Sequence, residues 1–307
     1  MFNKLINKIS ENIIGNNFNI KISLAAIISG GHILIEDLPG TGKTTFAKTI
    51  TNSLNLEFKR IQFKSDLLTS DILGYTYLKN NNFETNKGPI FTNIVLADEL
   101  NRASPKTQSA FLEAMEEKTV TIDKETFSLP DPFTVIATQN PSDLSGTSLL
   151  PESQLDRFMI SFSLDELDKE QRIKLLNQSN IFSNTIQSDF NYKDVRKIND
   201  ITVKDNVIHY LDNIAEYIKF NFPNIHISPR SLKQTLNLAK GMCIIESKDF
   251  VTYQEIKDVI PYVLRHRISV VEKNQTLNFV RKDILTNVKL PDLFNRNVLP
   301  VVSITSE

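Results

Sequence analysis

The sequence predicts an α/β protein: a core built on a parallel five-stranded sheet with helices on both faces, followed by an all-helical second unit. Three observations carry that expectation. Short apolar runs bounded by turn residues alternate with segments of helical spacing through the first half, the rhythm of strands and crossover helices in a parallel sheet. A glycine-rich turn, "DLPGTGKTT" (37–45), joins the first of these runs to a helix. Past about residue 165 strand patterns stop, and one helical pattern follows another.

The five strand candidates are His32 to Glu36 ("HILIE"), Phe58 to Phe63, Ile94 to Asp98 ("IVLAD"), Phe133 to Thr138 ("FTVIAT") and Phe158 to Phe162. Each is a short apolar run of the kind a buried strand needs. Thr44 to Leu54 follows the first strand as a helix, and Lys106 to Glu117 is a second, with Phe111, Leu112 and Met115 on one face. Two stretches break the rhythm. "KTVTIDKETFSL" alternates apolar and polar residues on both sides of Asp123-Lys124, and "YTYLKNNNFETNKG" (75–88) has an Asn-rich turn between β-prone pieces. Both read as hairpins decorating the core. The second unit offers helices at Glu166 to Gln178, Lys204 to Phe220, Ser228 to Glu246 and Thr252 to Arg267. Ser228-Pro229 is an N-cap followed by a first-turn proline, and Thr252 with Glu255 makes a capping box.

Composition excludes several classes. At 307 residues, with 40% apolar and 23% charged side chains, the chain has material for one large and one smaller core, which rules out disorder. A net charge of -1 provides no global basic field, so no nucleic acid is expected as a partner. The single cysteine, Cys243, cannot form an internal disulfide and lies in an apolar helical run, which favours a core role in a reducing compartment. Four scattered histidines and that one thiol offer no metal-ligand spacing. The apolar run from Ile22 to Ile35 is too short to span a bilayer and is broken by Ser29, Gly30, Gly31 and His32. With no signal-peptide pattern at the N-terminus, the expectation is a soluble, cytoplasmic protein without membrane insertion.

The residues that can carry chemistry sit at the ends of the predicted strands. Gly40 and Gly42 let backbone N–H groups approach phosphates, Lys43 supplies a positive charge, and Thr44 a hydroxyl ligand for Mg²⁺. The loop departs from the usual G-x-x-x-x-G-K-[ST] at its first position, where Asp37 stands; the plain alternative is that this acid occupies a turn. Asp98 and Glu99 end a buried strand at the edge where ligands gather in open α/β sheets. Asp98 suits Mg²⁺ held through water, and Glu99 can orient or deprotonate a water molecule. Asn140, after the fourth strand, reaches the same edge. Arg157 precedes the last strand, where it can face a neighbouring subunit. Arg230, in a first helical turn of the second unit, could reach phosphate. Singly, each arginine reads as an ordinary surface ion-pair partner.

In their order along the chain these segments resemble a known family. The loop "EDLPGTGKTT", then "ADELNRASPKTQSAFLEAMEE", a hairpin, "VIATQNP", "LPESQLDRF", "SPR" and "VLRHR" are similar to the MoxR family of AAA+ ATPases, over about residues 10 to 270. That family often carries Asp at the position of Asp37. The resemblance implies a P-loop NTPase core over 1–165 and a C-terminal all-helical lid with a tail over 166–307. A helix-2 insert (about 66–88) and a pre-sensor hairpin (about 119–129) would decorate the core. It implies that Lys43 and Thr44 are the Walker A pair, Asp98 and Glu99 the Walker B pair, Asn140 sensor 1, Arg157 the arginine finger and Arg230 sensor 2. Pro39, Gly40, Thr41, Gly42, Lys43, Thr44, Thr45 and Asp98 would contact ATP, with Thr44 and Asp98 holding Mg²⁺ partly through water. "NIIG" (12–15) resembles the adenine-packing segment, with Gly15-Asn16 in place of the usual G-Q.

The implied function is Mg²⁺-dependent ATP hydrolysis at the interfaces of a homo-oligomeric ring, a hexamer. Such a ring would remodel or mature client proteins, or insert a metal or cofactor, with a von Willebrand factor A-domain partner. The alternatives are a chelatase-type motor subunit, which shares the inserts, and a nucleotide-gated scaffold with little turnover, against which Glu99, Asn140 and Arg157 together argue; the neutral charge and the lack of a recognisable DNA-binding element count against a DNA-directed motor. A GTPase is disfavoured, because no N-K-x-D-like tetrapeptide occurs.

Overall fold

The computed structural model describes residues 1–37, 40–140, 150–177, 190–268, 271 and 275–291. Helices α1 (Phe2–Asn12) and α2 (Asn17–Ile28) lead into strand β1 (Ile33–Glu36), helix α3 (Lys43–Ser53) and strand β2 (Phe58–Gln62). A short helix α4 (Thr69–Leu73) opens the hairpin β3 (Gly74–Lys79) and β4 (Asn82–Lys87). Strand β5 (Ile94–Asp98), helix α5 (Pro105–Glu117), hairpin β6 (Thr119–Ile122) and β7 (Glu125–Ser128), strand β8 (Thr134–Gln139), helix α6 (Glu152–Leu155) and strand β9 (Ile160–Phe162) follow. The remainder is α7 (Lys169–Asn177), β10 (Thr202–Val203), α8 (Asp205–Asn221), α9 (Pro229–Ile245), β11 (Phe250–Val251), α10 (Tyr253–Leu264) and α11 (Thr276–Phe279).

The sheet is parallel and five-stranded in the order β2-β5-β8-β1-β9. Central β1 shows why its sequence is uniformly apolar: Ile33 and Ile35 enter the core beneath α1–α3, while Leu34 enters the core that holds Phe63, Phe111 and Phe133. A strand buried on both faces cannot alternate. The second of these cores is knit by an edge-to-face contact of Phe63 and Phe111, ring centroids 5.1 Å apart.

Helix starts follow the capping residues. Ser104 accepts the Thr107 N–H at 3.3 Å ahead of Pro105, and Ser228 accepts the Ser231 N–H at 3.1 Å ahead of Pro229. At α10 the Thr252 N–H donates to Glu255 Oε2 at 2.7 Å, closing the capping box. The β3–β4 hairpin turns through Asn80 and Asn81, both at positive φ (50° and 63°), which a two-residue turn requires and asparagine tolerates.

Two details correct the sequence reading. Strand structure does not end near residue 165, because β10 and β11 pair in parallel through Thr202–Val203 and Phe250–Val251. Two residues are too few to show a period. And the regular part of α10 stops at Leu264 rather than at Arg267; residues 265–267 form one further turn, closed by the Ile268 N–H on the Leu264 carbonyl at 3.1 Å, whose side chains engage the ends of β9.

The core beneath α1–α3 continues without a break into α8–α10. Helices α2 and α9 cross closely enough that a Cβ on Gly241 would come within 2.6 Å of the Ala25 carbonyl oxygen, and Ser29 Oγ donates to the Asn237 carbonyl at 2.9 Å. Among the described residues no helix is long and apolar enough to cross a membrane.

Candidate functional site

Strand β1 ends at Glu36, and the chain turns at Asp37 into the glycine-rich loop. Gly40 and Gly42 both adopt positive φ (82° and 92°), and a Cβ at either would meet open space. Their need is conformational: only a residue free in the left-handed region turns these amides outward so readily. Helix α3 starts at Lys43, so the loop opens onto a helix N-terminus whose first amides have no intrahelical partner. Thr41 is exposed, while Thr44 and Thr45 are half-buried in the first turn. Pro39, also expected in the loop, lies outside the described residues.

Lys43 Nζ donates to the Asp37 carbonyl at 3.0 Å. Burial pulls its ammonium below the ordinary lysine value, while the carboxylates of Asp37, Asp98 and Glu99 pull it back up. An incoming polyphosphate would act in the same direction as those acids. Asp37 is turned aside: its Oδ2 accepts the Leu164 N–H at 3.3 Å and its own N–H donates to the Gln139 carbonyl at 3.2 Å.

The two acids at the end of β5 are held separately. Asp98, 8% exposed, accepts the Thr138 hydroxyl on Oδ1 at 2.6 Å and the Arg60 guanidinium on Oδ2, with Nη2 at 2.6 Å. Glu99 sits at φ 56°, unusual for a side chain with a Cβ, and its N–H donates to Thr138 Oγ1 at 2.9 Å. Its carboxylate accepts the Gln62 amide at 2.8 Å and pairs with Arg102 at 3.4 Å. Asn140 follows β8 directly and is half-buried. Because β8 lies between β5 and β1, Asn140 leaves the sheet between the acidic pair and the loop.

Arg157 and Arg230 lie elsewhere. Arg157 precedes β9, whose parallel register with β1 (Ile160 beside Ile33) sets it at the amino-terminal edge of the sheet. The loop is at the carboxyl edge, about 10 Å or more away along a four-residue strand. Arg157 Nε pairs with Glu116 Oε2 at 3.1 Å, and its Nη1 is buried without a hydrogen-bond partner among the described residues. Arg230 Nη2 bonds the other oxygen of the same Glu116 carboxylate, and its Nη1 lies 4.0 Å from Asp156. The structure thus brings the loop, Asp98, Glu99 and Asn140 to one edge, and the two arginines together at the other.

Arg60, Gln62 and Thr138 are absent from the sequence reading. The available signal was the polar pair Arg60 and Gln62 at the end of the run "FKRIQF". Being two apart, they share a face of β2, and Gln62 stands in register with Asp98.

Residues 32–160 match the family described as ATPase family associated with various cellular activities (AAA), and residues 224–285 match the AAA lid domain. The chain is 36% identical over 306 residues to the uncharacterized protein YeaC of Bacillus subtilis, covering 95% of each. It is 31% identical over 281 residues to Chaperone MoxR1 of Mycobacterium tuberculosis, covering 86% of this chain and 74% of that one. The chain belongs to the MoxR family of AAA+ ATPases. A crystal structure of a candidate ATPase from Cytophaga hutchinsonii superposes with a TM-score of 0.81 at 35% identity, over 95% of this MoxR-family chain and 97% of that one.

The donor set fits the ligands such an ATPase takes. The open glycine loop, the helix N-terminus and Lys43 suit a polyphosphate. Among the described residues no group of three or more His, Cys, Asp or Glu side chains is placed to hold a metal ion. Thr44 and Asp98 give two oxygens, which suits Mg²⁺, an ion that keeps waters and takes its remaining ligands from phosphate.

Proposed function

We propose that this chain hydrolyses ATP at the interfaces between copies of itself in a ring, a hexamer, and uses the cycle to remodel or mature client proteins. One observation carries the reading. The two arginines suited to a triphosphate share Glu116 at the sheet edge opposite their own loop, so the nucleotide within their reach is a neighbour's.

In this reading the backbone amides of residues 40–45 hold the phosphates, with Pro39 lining the loop and Lys43 as the point charge, and Thr44 and Asp98 hold Mg²⁺ partly through water. The bound Mg²⁺ would neutralise phosphate charge. Asn140 and Glu99 orient the attacking water, and Glu99 takes its proton. Gln62 and Arg102 both hold the Oε2 oxygen of that carboxylate. Arg157 and Arg230 meet the charge that develops on the neighbour's γ-phosphate. An arginine acting in trans is worth about 10³- to 10⁵-fold in rate.

The client side rests on the β3–β4 hairpin. It exposes Tyr75, Tyr77, Leu78 and Phe83, the last 80% exposed, and large apolar groups displayed on a two-stranded projection suit transient contact with another protein. The name of the relative MoxR1, a chaperone, supports the same direction. A von Willebrand factor A-domain partner and metal or cofactor insertion come from the family resemblance.

The test is subunit mixing. Arg157→Ala is expected to lose at least about 10³-fold in ATPase rate while still binding ATP. Lys43→Ala is expected to bind no ATP. Mixed together, the two inactive proteins regain hydrolysis, since each supplies what the other lacks. An Arg157→Ala protein that hydrolyses ATP at the wild-type rate removes the shared site.

A further inference from the structure

Arg265, His266 and Arg267 follow the last turn of α10 and have no part in the reading above. Arg265 and His266 are 3% exposed, and the Arg267 side chain 5%. Together they clasp the edge strand β9 at both ends. At its carboxyl end Arg265 Nη1 pairs with Glu36 Oε2 at 3.0 Å and Nη2 donates to Ser163 Oγ at 2.7 Å. Glu36 also accepts the Gln139 amide at 2.7 Å, and it directly precedes Asp37, whose carbonyl takes the Lys43 ammonium. At the amino end His266 Nε2 donates to the Phe158 carbonyl at 3.1 Å. Arg267 Nε donates to Asp156 Oδ1 at 2.8 Å, and its Nη2 reaches the Asp156 and Phe158 carbonyls at 3.1 and 3.0 Å. Asp156 directly precedes Arg157 and accepts the hydroxyl of Ser228, the N-cap of the helix that carries Arg230.

Buried ion pairs are a poor source of stability. Each ion loses hydration worth several kcal/mol, and apolar side chains of similar size often hold a core as well or better. Two guanidiniums buried two residues apart, one against each end of the same strand, are better explained by position. They connect Glu36, the residue before the phosphate loop, with Asp156, the residue before Arg157.

We propose that Arg265 and Arg267 are positioning residues that tie a subunit's own phosphate loop to the arginine it offers its neighbour. The proposal rests on the reading that Arg157 acts at a neighbouring copy's nucleotide. When phosphate draws the Lys43 ammonium off the Asp37 carbonyl, the adjoining Glu36 shifts. Arg265 follows it, the end of α10 moves as one piece, and Arg267 carries Asp156 and Arg157 with it. Packed and hydrogen-bonded elements of this kind are a physical carrier of coupling between sites.

The test uses Arg157→Ala subunits, which keep a working loop, mixed with an excess of finger donors and with ring formation checked by mass. One donor, Lys43→Ala, has an empty loop; the other, Glu99→Gln, holds ATP without turning it over. At saturating ATP the filled donor is expected to support hydrolysis at least about fivefold faster than the empty donor, the lower end of ordinary coupling. The difference is expected to vanish when both donors also carry Glu36→Met with Arg265→Met, which removes the two charges together. Equal rates with filled and empty donors overturn the proposal, and so does a difference that survives the paired substitution. If the paired variant does not fold, Arg265→Lys replaces it, a side chain unable to reach Glu36 and Ser163 at once; the comparison of the two donors stands without either. Absence of recovered hydrolysis with every donor is a different result: it overturns the shared-site reading itself, and the proposal with it.

Discussion

Individual side chains explain why an acid is tolerated beside a phosphate loop: the Asp37 carboxylate accepts the Leu164 N–H while its carbonyl takes the Lys43 ammonium. A second residue of this kind is His32 at the start of β1. Its Nδ1 accepts the Val135 N–H at 3.0 Å and its Nε2–H donates to the Met115 carbonyl at 3.1 Å, so the ring is neutral and fully engaged. Burial first, and Lys118 second, pull its pKa from 6.5 down to about 3, against the opposing bond to Met115. Below pH 6.5 the unfolded chain takes up a proton that the folded one refuses. Stability is therefore lost as pH falls through that window, by about 1.4 kcal/mol per unit. Urea unfolding at pH 7, 6 and 5 checks this: His32→Gln should be weaker at pH 7 but lose less on acidification, and parallel slopes refute the assignment. Lys43, Asp98 and Glu99 were legible from a contiguous motif. Arg60 and Gln62 were not, because their partners stand 38 and 37 positions away and depend on the β2–β5 register, which one strand's sequence does not encode.

Elements were legible in proportion to their local signals. Ser228-Pro229 and Thr252 with Glu255 announce α9 and α10, and each cap forms the bond its residue type predicts. The paired asparagines likewise announce the turn of the β3–β4 hairpin. The end of α10 lies within a turn of its expected place, because Arg265, His266 and Arg267 carry adequate helix propensity and form a final turn past Leu264, while their tertiary partners were not legible. Gly241 gives a test at this scale. In the middle of an exposed helix, glycine to alanine gains about 1 kcal/mol. Here the added Cβ would stand 2.5 Å from Ser29 Oγ and 2.6 Å from the Ala25 carbonyl oxygen. Gly241→Ala should instead lose about 1–3 kcal/mol in urea unfolding, and a gain would mean that α2 and α9 do not pack this closely.

For the molecule as a whole, the sequence suggests a division near residue 165, and the core beneath α1–α3 also takes in side chains of α8–α10 across it. Composition reports a change of secondary structure and is blind to which elements later share a core. The same scale governs activity. With both arginines remote from their own loop, specific ATPase activity should fall steeply as the protein is diluted below its assembly range, and a rate independent of concentration would contradict that. The arginine cluster has one more consequence. Among the described residues the acids paired with Arg157, Arg230 and Arg267 are Glu116 and Asp156, three permanent cations to two anions. Counted over those five groups, one positive charge has no acid opposite it in a single copy. A triphosphate on an adjoining copy would discharge it, so salt that weakens the seam between subunits should weaken catalysis along with it.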